Sequence, residues 1–377
     1  MTERHAFKRL TLIVAGTAIT AVFCAGLLAC AEFFYRFKDY RPADAALLAL
    51  SNVTHPLTGK VMKYRFTTSG NLRAISWDFL MNDEQTGNIL RPNFHSRWLE
   101  TKGRDLVAAA KVVRDVHYDM DAYGRRITPG QKHLKHKRER FLAFFGCSFT
   151  FGEWVDSNET LPYYVSQLAT GYHAYNYGVS GYGPHSVLTR IKNIDLRQQI
   201  PQRQGIFIYT FMDDQVSRAI GTMTRVNKFA ARQPFYELAD NGQPVQHSSL
   251  SQGRPLRSWI YSHLGESALL RHFNVEYPWW IGKKDLDLVA ALLAAMKAEF
   301  EREFPDSKFY VLFYPGQELA RRIIPLLVER GVQSFDYSRV KLENEDGDPF
   351  VIPENGHPSA AAHQVVSSLL VRDLPRW

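Results

Sequence analysis

The chain has 377 residues, 45% of them hydrophobic and 22% charged, and 46 Lys and Arg against 38 Asp and Glu give a formal charge of +8. This is the balance of an ordinary globular chain and excludes a disordered or collagen-like one. With three cysteines, two of them (Cys24 and Cys30) in one apolar stretch, neither a disulfide framework nor a cysteine-built metal cluster is available, and no cofactor or metal is expected.

Taken from the amino terminus, residues 1–9 carry Arg4, Lys8 and Arg9, and Leu10 to Ala31 follow as 22 consecutive uncharged positions. As a helix that run rises roughly 33 Å, enough to cross a bilayer core. It reads as a transmembrane signal anchor over 10–31, with residues 1–9 cytoplasmic and the rest of the chain on the periplasmic or cell-surface side. Arg36, Lys38 and Arg41 balance the basic residues on the other flank, so the charge rule alone does not set the orientation. Leu27-Leu28-Ala29-Cys30 also admits a cleaved lipoprotein leader with Cys30 acylated. Residues 32–138 read as a membrane-proximal connecting region. Within it, 105–114 suggests a short helix, although its Val pair also suits a strand, and 116–127 suggests a hairpin around Gly124. Eleven Lys and Arg against five Asp and Glu lie between 101 and 140. This is a solvated surface or an attraction for anionic lipid or an acidic polymer. Nucleic acid is not expected as a partner, because no recognition signature accompanies the charge.

From 139 onward short apolar runs alternate with helical patterns. Strands are expected at 141–145, 172–177, 205–211, 307–313 and 331–335. Helices are expected at 160–168 (with Thr160 as cap), 186–194, 285–303, 317–330 and 360–371. Alternation of this kind predicts an α/β fold, a three-layer α/β/α sandwich around a parallel sheet, with ligands at the carboxyl ends of the strands. Residues 220–280 read as an insertion over one end of the sheet. Its Tyr261, Trp279 and Trp280 offer faces for stacking on sugars, with core packing expected for at least two of them.

Three stretches carry chemistry. Gly146-Cys147-Ser148-Phe149-Thr150-Phe151-Gly152 follows the first expected strand, where a serine holds its Oγ above the sheet edge and its own amide near a forming oxyanion. Asn176-Tyr-Gly178-Val-Ser180-Gly181-Tyr-Gly183 follows the second, and its glycines let backbone approach a ligand. Glu354-Asn-Gly-His357 precedes the last helix, with a carboxylate spaced to orient a histidine whose other nitrogen faces a serine. His185 and His247 are spare candidates.

In these three blocks, residues 139–377 resemble the SGNH hydrolases, also called GDSL-type esterases. The resemblance implies the three-layer sandwich and ester hydrolysis through an acyl-enzyme on Ser148. It further implies His357 as base, Glu354 as its orienter, and the amides of Ser148 and Gly181 as oxyanion donors. Cys147 and Glu354 stand where the family has Asp. Asp213 stands where the family has an Asn that donates to the oxyanion, and a carboxylate cannot donate. Either Asp213 is held protonated or Gln215 supplies the amide. The expected function is a membrane-anchored serine esterase acting on acyl groups, O-acetyl among them, of a cell-envelope glycan or lipid. A polysaccharide O-acyltransferase with the same site and a non-catalytic binding scaffold are the alternatives. The sequence carries no signal of oligomeric state.

Overall fold

The computed structural model describes residues 2–39, 53–54, 61–66, 72–75, 79–101, 112–131, 138–353 and 356–375. One helix runs from Thr2 to Asp39. Its Thr20–Lys38 part is long and apolar enough to cross a membrane, and none of that part is buried in the protein. The expected span over 10–31 lies within the same continuous helix.

Among the described residues, seven strands follow before residue 139: Val53–Thr54 (β1), Val61–Phe66 (β2), Leu72–Ile75 (β3), Leu80–Asp83 (β4), Gly87–Leu90 (β5), His95–Thr101 (β6) and Val112–Asp119 (β7). β1, β2, β3, β6 and β7 form one antiparallel sheet in that order, and β4 and β5 form a separate hairpin. Of the stretch expected as helix or strand at 105–114, the end beginning at Val112 is strand, where its β-branched pair fits a pleated surface. The remainder lies outside the described residues. The hairpin expected at 116–127 is reduced to a bridge between Met120 and Arg126, because β7 pairs with β6 instead, Tyr118 opposite Ser96.

The second sheet is built from Arg140–Phe145 (β8), Tyr172–Asn176 (β9), Gln204–Phe211 (β10), Lys308–Phe313 and Gln333–Asp336. Between β10 and the last two lies the insertion's hairpin, Pro234–Leu238 (β11) and Pro244–Ser249 (β12), so the closing strands are β13 and β14. All pairs are parallel and the order is β14-β13-β10-β8-β9. The uninterrupted apolar runs of β8, β10 and β13 are what a parallel sheet covered on both faces requires. Alternate side chains divide between two cores. Phe141, Phe145, Phe207, Tyr209, Val311 and Phe313 face helices Pro184–Lys192, Lys283–Glu303 and Ala320–Glu329, while Leu142, Phe144, Ile206, Ile208 and Leu312 face Leu161–Leu168 and Ala360–Asp373. The three-layer sandwich is thus present. Thr160 caps its helix as expected, its Oγ1 accepting from the Tyr163 amide.

The first core extends past the sandwich. Phe79, Leu90, Trp98, Val116 and Tyr118 from the connecting region belong to the same cluster as Phe151 and Trp154. Residue 138 therefore does not separate two cores.

Candidate functional site

The strand order puts β8 at a switch point: the chain leaves it for β9 on one side and returns to β10 on the other, opening a crevice at their carboxyl ends. Ser148 opens a four-residue helix, Ser148–Phe151, immediately after β8. The turn into it demands small backbone. Gly146 sits at φ +149, and a Cβ there would meet Thr150 Oγ1 at 2.4 Å and the Thr210 carbonyl at 2.9 Å. The second block closes on the first with equal economy, since a Cβ on Gly178 would lie 2.2 Å from the Phe151 amide nitrogen. Asn176 completes the join, its Nδ2 donating to the Phe151 carbonyl and its Oδ1 accepting from the Gly178 amide.

His357 arrives from the other end of the chain, on the loop before the Ala360–Asp373 helix. Its Nε2 lies 2.9 Å from Ser148 Oγ, a hydrogen bond across 209 residues of sequence. The loop is fixed by its own backbone, with the Ile352 amide donating to the His357 carbonyl at 2.7 Å and the Gly356 amide to the Ile352 carbonyl at 3.2 Å. The Phe149 ring stands 5.5 Å from the imidazole. Glu354 lies outside the described residues. Among the described residues, neither the Ser148 nor the Gly181 amide donates to a protein carbonyl. Gly181 adopts φ +85, the left-handed region suited to glycine.

Glu153, which sequence reasoning passed over, belongs to the same cluster. Its Oε2 accepts from Ser180 Oγ at 2.8 Å and lies 3.8 Å from His357 Nε2, with both side chains largely buried. The loop carrying it is held by the connecting region. Arg126 is wholly buried and donates to the carbonyls of Phe151, Gly152 and Val155, as well as that of His117. Burial pushes its guanidinium down to about 10. The Trp154 amide donates to Tyr118 Oη at 2.7 Å. Nothing in the local sequence marks these partners.

The Asp213 carboxylate accepts from the Glu318 amide at 2.8 Å and the Leu319 amide at 3.2 Å, in the turn just ahead of the Ala320–Glu329 helix, while its own amide donates to Gln317. Burial raises its carboxyl above the ordinary range and the two amide bonds pull the other way. Gln215 is not the substitute donor. It is fully buried, its Nε2 bonded to the Thr210 carbonyl and its Oε1 to Tyr209 Oη. Cys147 is also buried, its Sγ 3.2 Å from Met212 Sδ. The spare histidines are elsewhere. His185 is buried against Gln233, which in turn donates to the Gly181 carbonyl, so it props the glycine loop. His247 is a surface partner of Glu237. Of the three aromatic rings expected mostly in the core, Tyr261 alone is buried, because Trp279 and Trp280 sit in a turn between helices and are 74% exposed.

A cavity of about 360 Å³ opens beside the site, with Glu153, Ser180 and Gly181 on one side and the β4–β5 hairpin, Phe229 and Arg232 on the other. Its size is that of a small-ligand cleft. Polar groups from Asn82, Asn88 and Arg232 line it. Among the described residues no group of three or more His, Cys, Asp or Glu is arranged to hold a metal ion.

No family model matches the chain, and no curated protein does. Solved structures aligned with it include a member of the lipolytic protein G-D-S-L family from Veillonella parvula, at 11% identity and a TM-score of 0.35, covering 63% of this chain and 100% of that one. A catalytic mutant of the acetylxylan esterase Axe2 from Geobacillus stearothermophilus aligns at 14% identity and 0.33, covering 65% and 98%. An extracellular lipase from Streptomyces rimosus aligns at 15% and 0.35, covering 62% and 98%. Likeness at that level assigns no activity to this chain.

Proposed function

We propose that the chain is an SGNH-type serine esterase, anchored in a membrane by its amino-terminal helix, that removes acyl groups from a cell-envelope glycan or lipid outside the cytoplasm. The observation that carries this reading is the 2.9 Å contact between Ser148 Oγ and His357 Nε2 at the sheet's switch point. The cavity beside Gly181, lined by Leu80, Met81 and Phe229 as well as by Asn82, Asn88 and Arg232, supports a small acyl group as its occupant.

In the proposed reaction His357 takes the Ser148 proton as Oγ attacks the ester carbonyl. The Ser148 and Gly181 amides receive the oxyanion. Collapse breaks the ester C–O bond, and His357 returns its proton to the departing alcohol. Water, deprotonated by His357, then attacks the acyl-serine, releases the acid and restores Ser148. Glu354 is the proposed orienter of His357. Short-chain p-nitrophenyl esters and a fluorophosphonate probe test this. Wild type turns over and is labelled, while Ser148→Ala loses turnover by about 10⁴-fold or more and is not labelled. Equal behaviour of the two proteins removes the esterase reading.

Asp213 favours one second reading, a binding scaffold, because its carboxylate accepts from the Glu318 and Leu319 amides and cannot donate to an oxyanion. The same labelling experiment separates the two.

A further inference from the structure

The insertion contains a helix with an exposed apolar stripe. In Pro255–Gly265 the exposed residues include Leu256, Trp259, Ile260 and Leu264, spaced i, i+3, i+4 and i+8 on one helical face, with the exposed His263 ring 4.5 Å from that of Trp259. Leu256 is 70% exposed and Trp259 60%. The inward side is mixed: Tyr261 packs with Met223, Val226, Phe235 and Leu250, while Arg257 donates to the carbonyls of Ile220 and Gly221, and Ser258 to that of Leu250. A surface helix in water turns its polar side outward. Phe273, Trp279 and Trp280, all exposed, follow on the next turns.

This surface adjoins the apolar amino-terminal helix. Glu32, the first charged residue after the uncharged run, accepts from Ser267 Oγ at 2.7 Å and from the amides of Ala268 and Leu269 at 2.9 and 3.0 Å. Tyr35 stacks on His272 with centroids 4.2 Å apart and meets Phe273 edge-on at 5.7 Å. Arg36 reaches the carbonyl of Glu266, directly after the striped helix, at 3.5 Å. The insertion is therefore fastened to the amino-terminal helix just past its uncharged run, and with residues 10–31 as the span this is the level where hydrocarbon gives way to head groups. Tryptophan and tyrosine accumulate at that level, and exposed Arg36 and Lys38 add charge suited to anionic lipid.

We propose that the Leu256–Leu264 stripe, with Phe273, Trp279 and Trp280, is a second membrane contact that lies in the head-group layer of the bilayer crossed by the anchor. It rests on the anchor part of the proposed function and is independent of the ester chemistry. The occupant is lipid, because Phe273 of the patch meets Tyr35 of the helix whose Thr20–Lys38 part is apolar enough to cross a membrane and is not buried in the protein. Partial burial of such a helix in the interface is the behaviour of monotopic segments.

The full-length protein, reconstituted into phosphatidylcholine–phosphatidylglycerol vesicles containing lipid brominated near the glycerol end of its chains, tests this directly. The anchor has no tryptophan, so any quenching comes from the rest of the chain. Emission is expected to fall by up to about three sevenths, the share of Trp259, Trp279 and Trp280 among the seven tryptophans. A W259S/W279S/W280S variant, altered only at exposed positions, is expected to stay in the vesicles unquenched. Wild-type protein that resists carbonate extraction yet shows no quenching overturns the second contact alone, and protein washed out by carbonate overturns it together with the anchor. Unquenched protein whose emission shifts with added polysaccharide, or whose Trp279→Cys variant cross-links to a second copy, overturns it in favour of a glycan or a self-association surface.

Discussion

The Glu153 carboxylate lies 3.8 Å from His357 Nε2, the same ring nitrogen that meets Ser148 Oγ. A negative charge at that distance stabilises the imidazolium that forms as the base takes the Ser148 proton. Glu153→Gln keeps the contact with Ser180 and removes the charge. The kcat/KM for p-nitrophenyl acetate is expected to fall by about tenfold. Unchanged kinetics would show that Glu153 only positions Ser180.

Arg126 carries its charge into the core with main-chain carbonyls as its hydrogen-bond acceptors. Arg126→Lys keeps the charge but loses the planar fork that reaches Phe151, Gly152 and Val155 together. A loss of about 3 kcal/mol or more is expected, since each hydrogen bond to a charged group contributes ~1.5–3 kcal/mol. Urea unfolding monitored by circular dichroism measures it.

Stability should fall in mild acid. Burial pushes His173 and His185 down to about 4 and His363 down to about 3 from the ordinary 6.5. The unfolded chain takes up the three protons near that ordinary value and the folded protein refuses them until lower pH. Stability is therefore full above it and is lost as pH falls toward the folded values, at about 4 kcal/mol per pH unit for three protons. His363→Asn is expected to remove about a third of that slope in unfolding curves taken between about pH 6 and 4.

Asp213→Asn discriminates between a turn anchor and an oxyanion group. One amide oxygen still accepts from Glu318 or Leu319, so a loss of about 1 kcal/mol is expected, with ester turnover unchanged. A tenfold or larger rise in kcat, measured beside wild type, would show instead that the carboxylate opposes the forming negative charge.

The sandwich is legible in the sequence because β8, β10 and β13 are unbroken apolar runs and Thr160-Leu161-Pro162 signals a helix start by local chemistry. The meeting of Ser148 with His357 is legible as well, since a switch point gathers loops that leave the carboxyl ends of the strands. Glu153, Arg126 and the β4–β5 hairpin are not. Periodicity tells which side of an element is covered but not which distant segment covers it, and these three act only through distant contacts. The side chain of Asp213 shows the same limit: its position after β10 is local information, whereas its direction is set by amides 105 and 106 residues away. Trp279 and Trp280 illustrate a different one, because a ring in an irregular turn has no periodicity from which its exposure can be read.

The guanidinium of Arg126 also determines how the gene can be divided. A version starting at residue 139 would keep the sheet, the serine and the histidine, yet it would leave three main-chain oxygens around Phe151 to Val155 facing an empty socket. Phe79 and Tyr118 would be stripped from their neighbour Phe151 in the same cut. A crystallisable or secretable fragment has to begin far enough upstream to bring its own keystone.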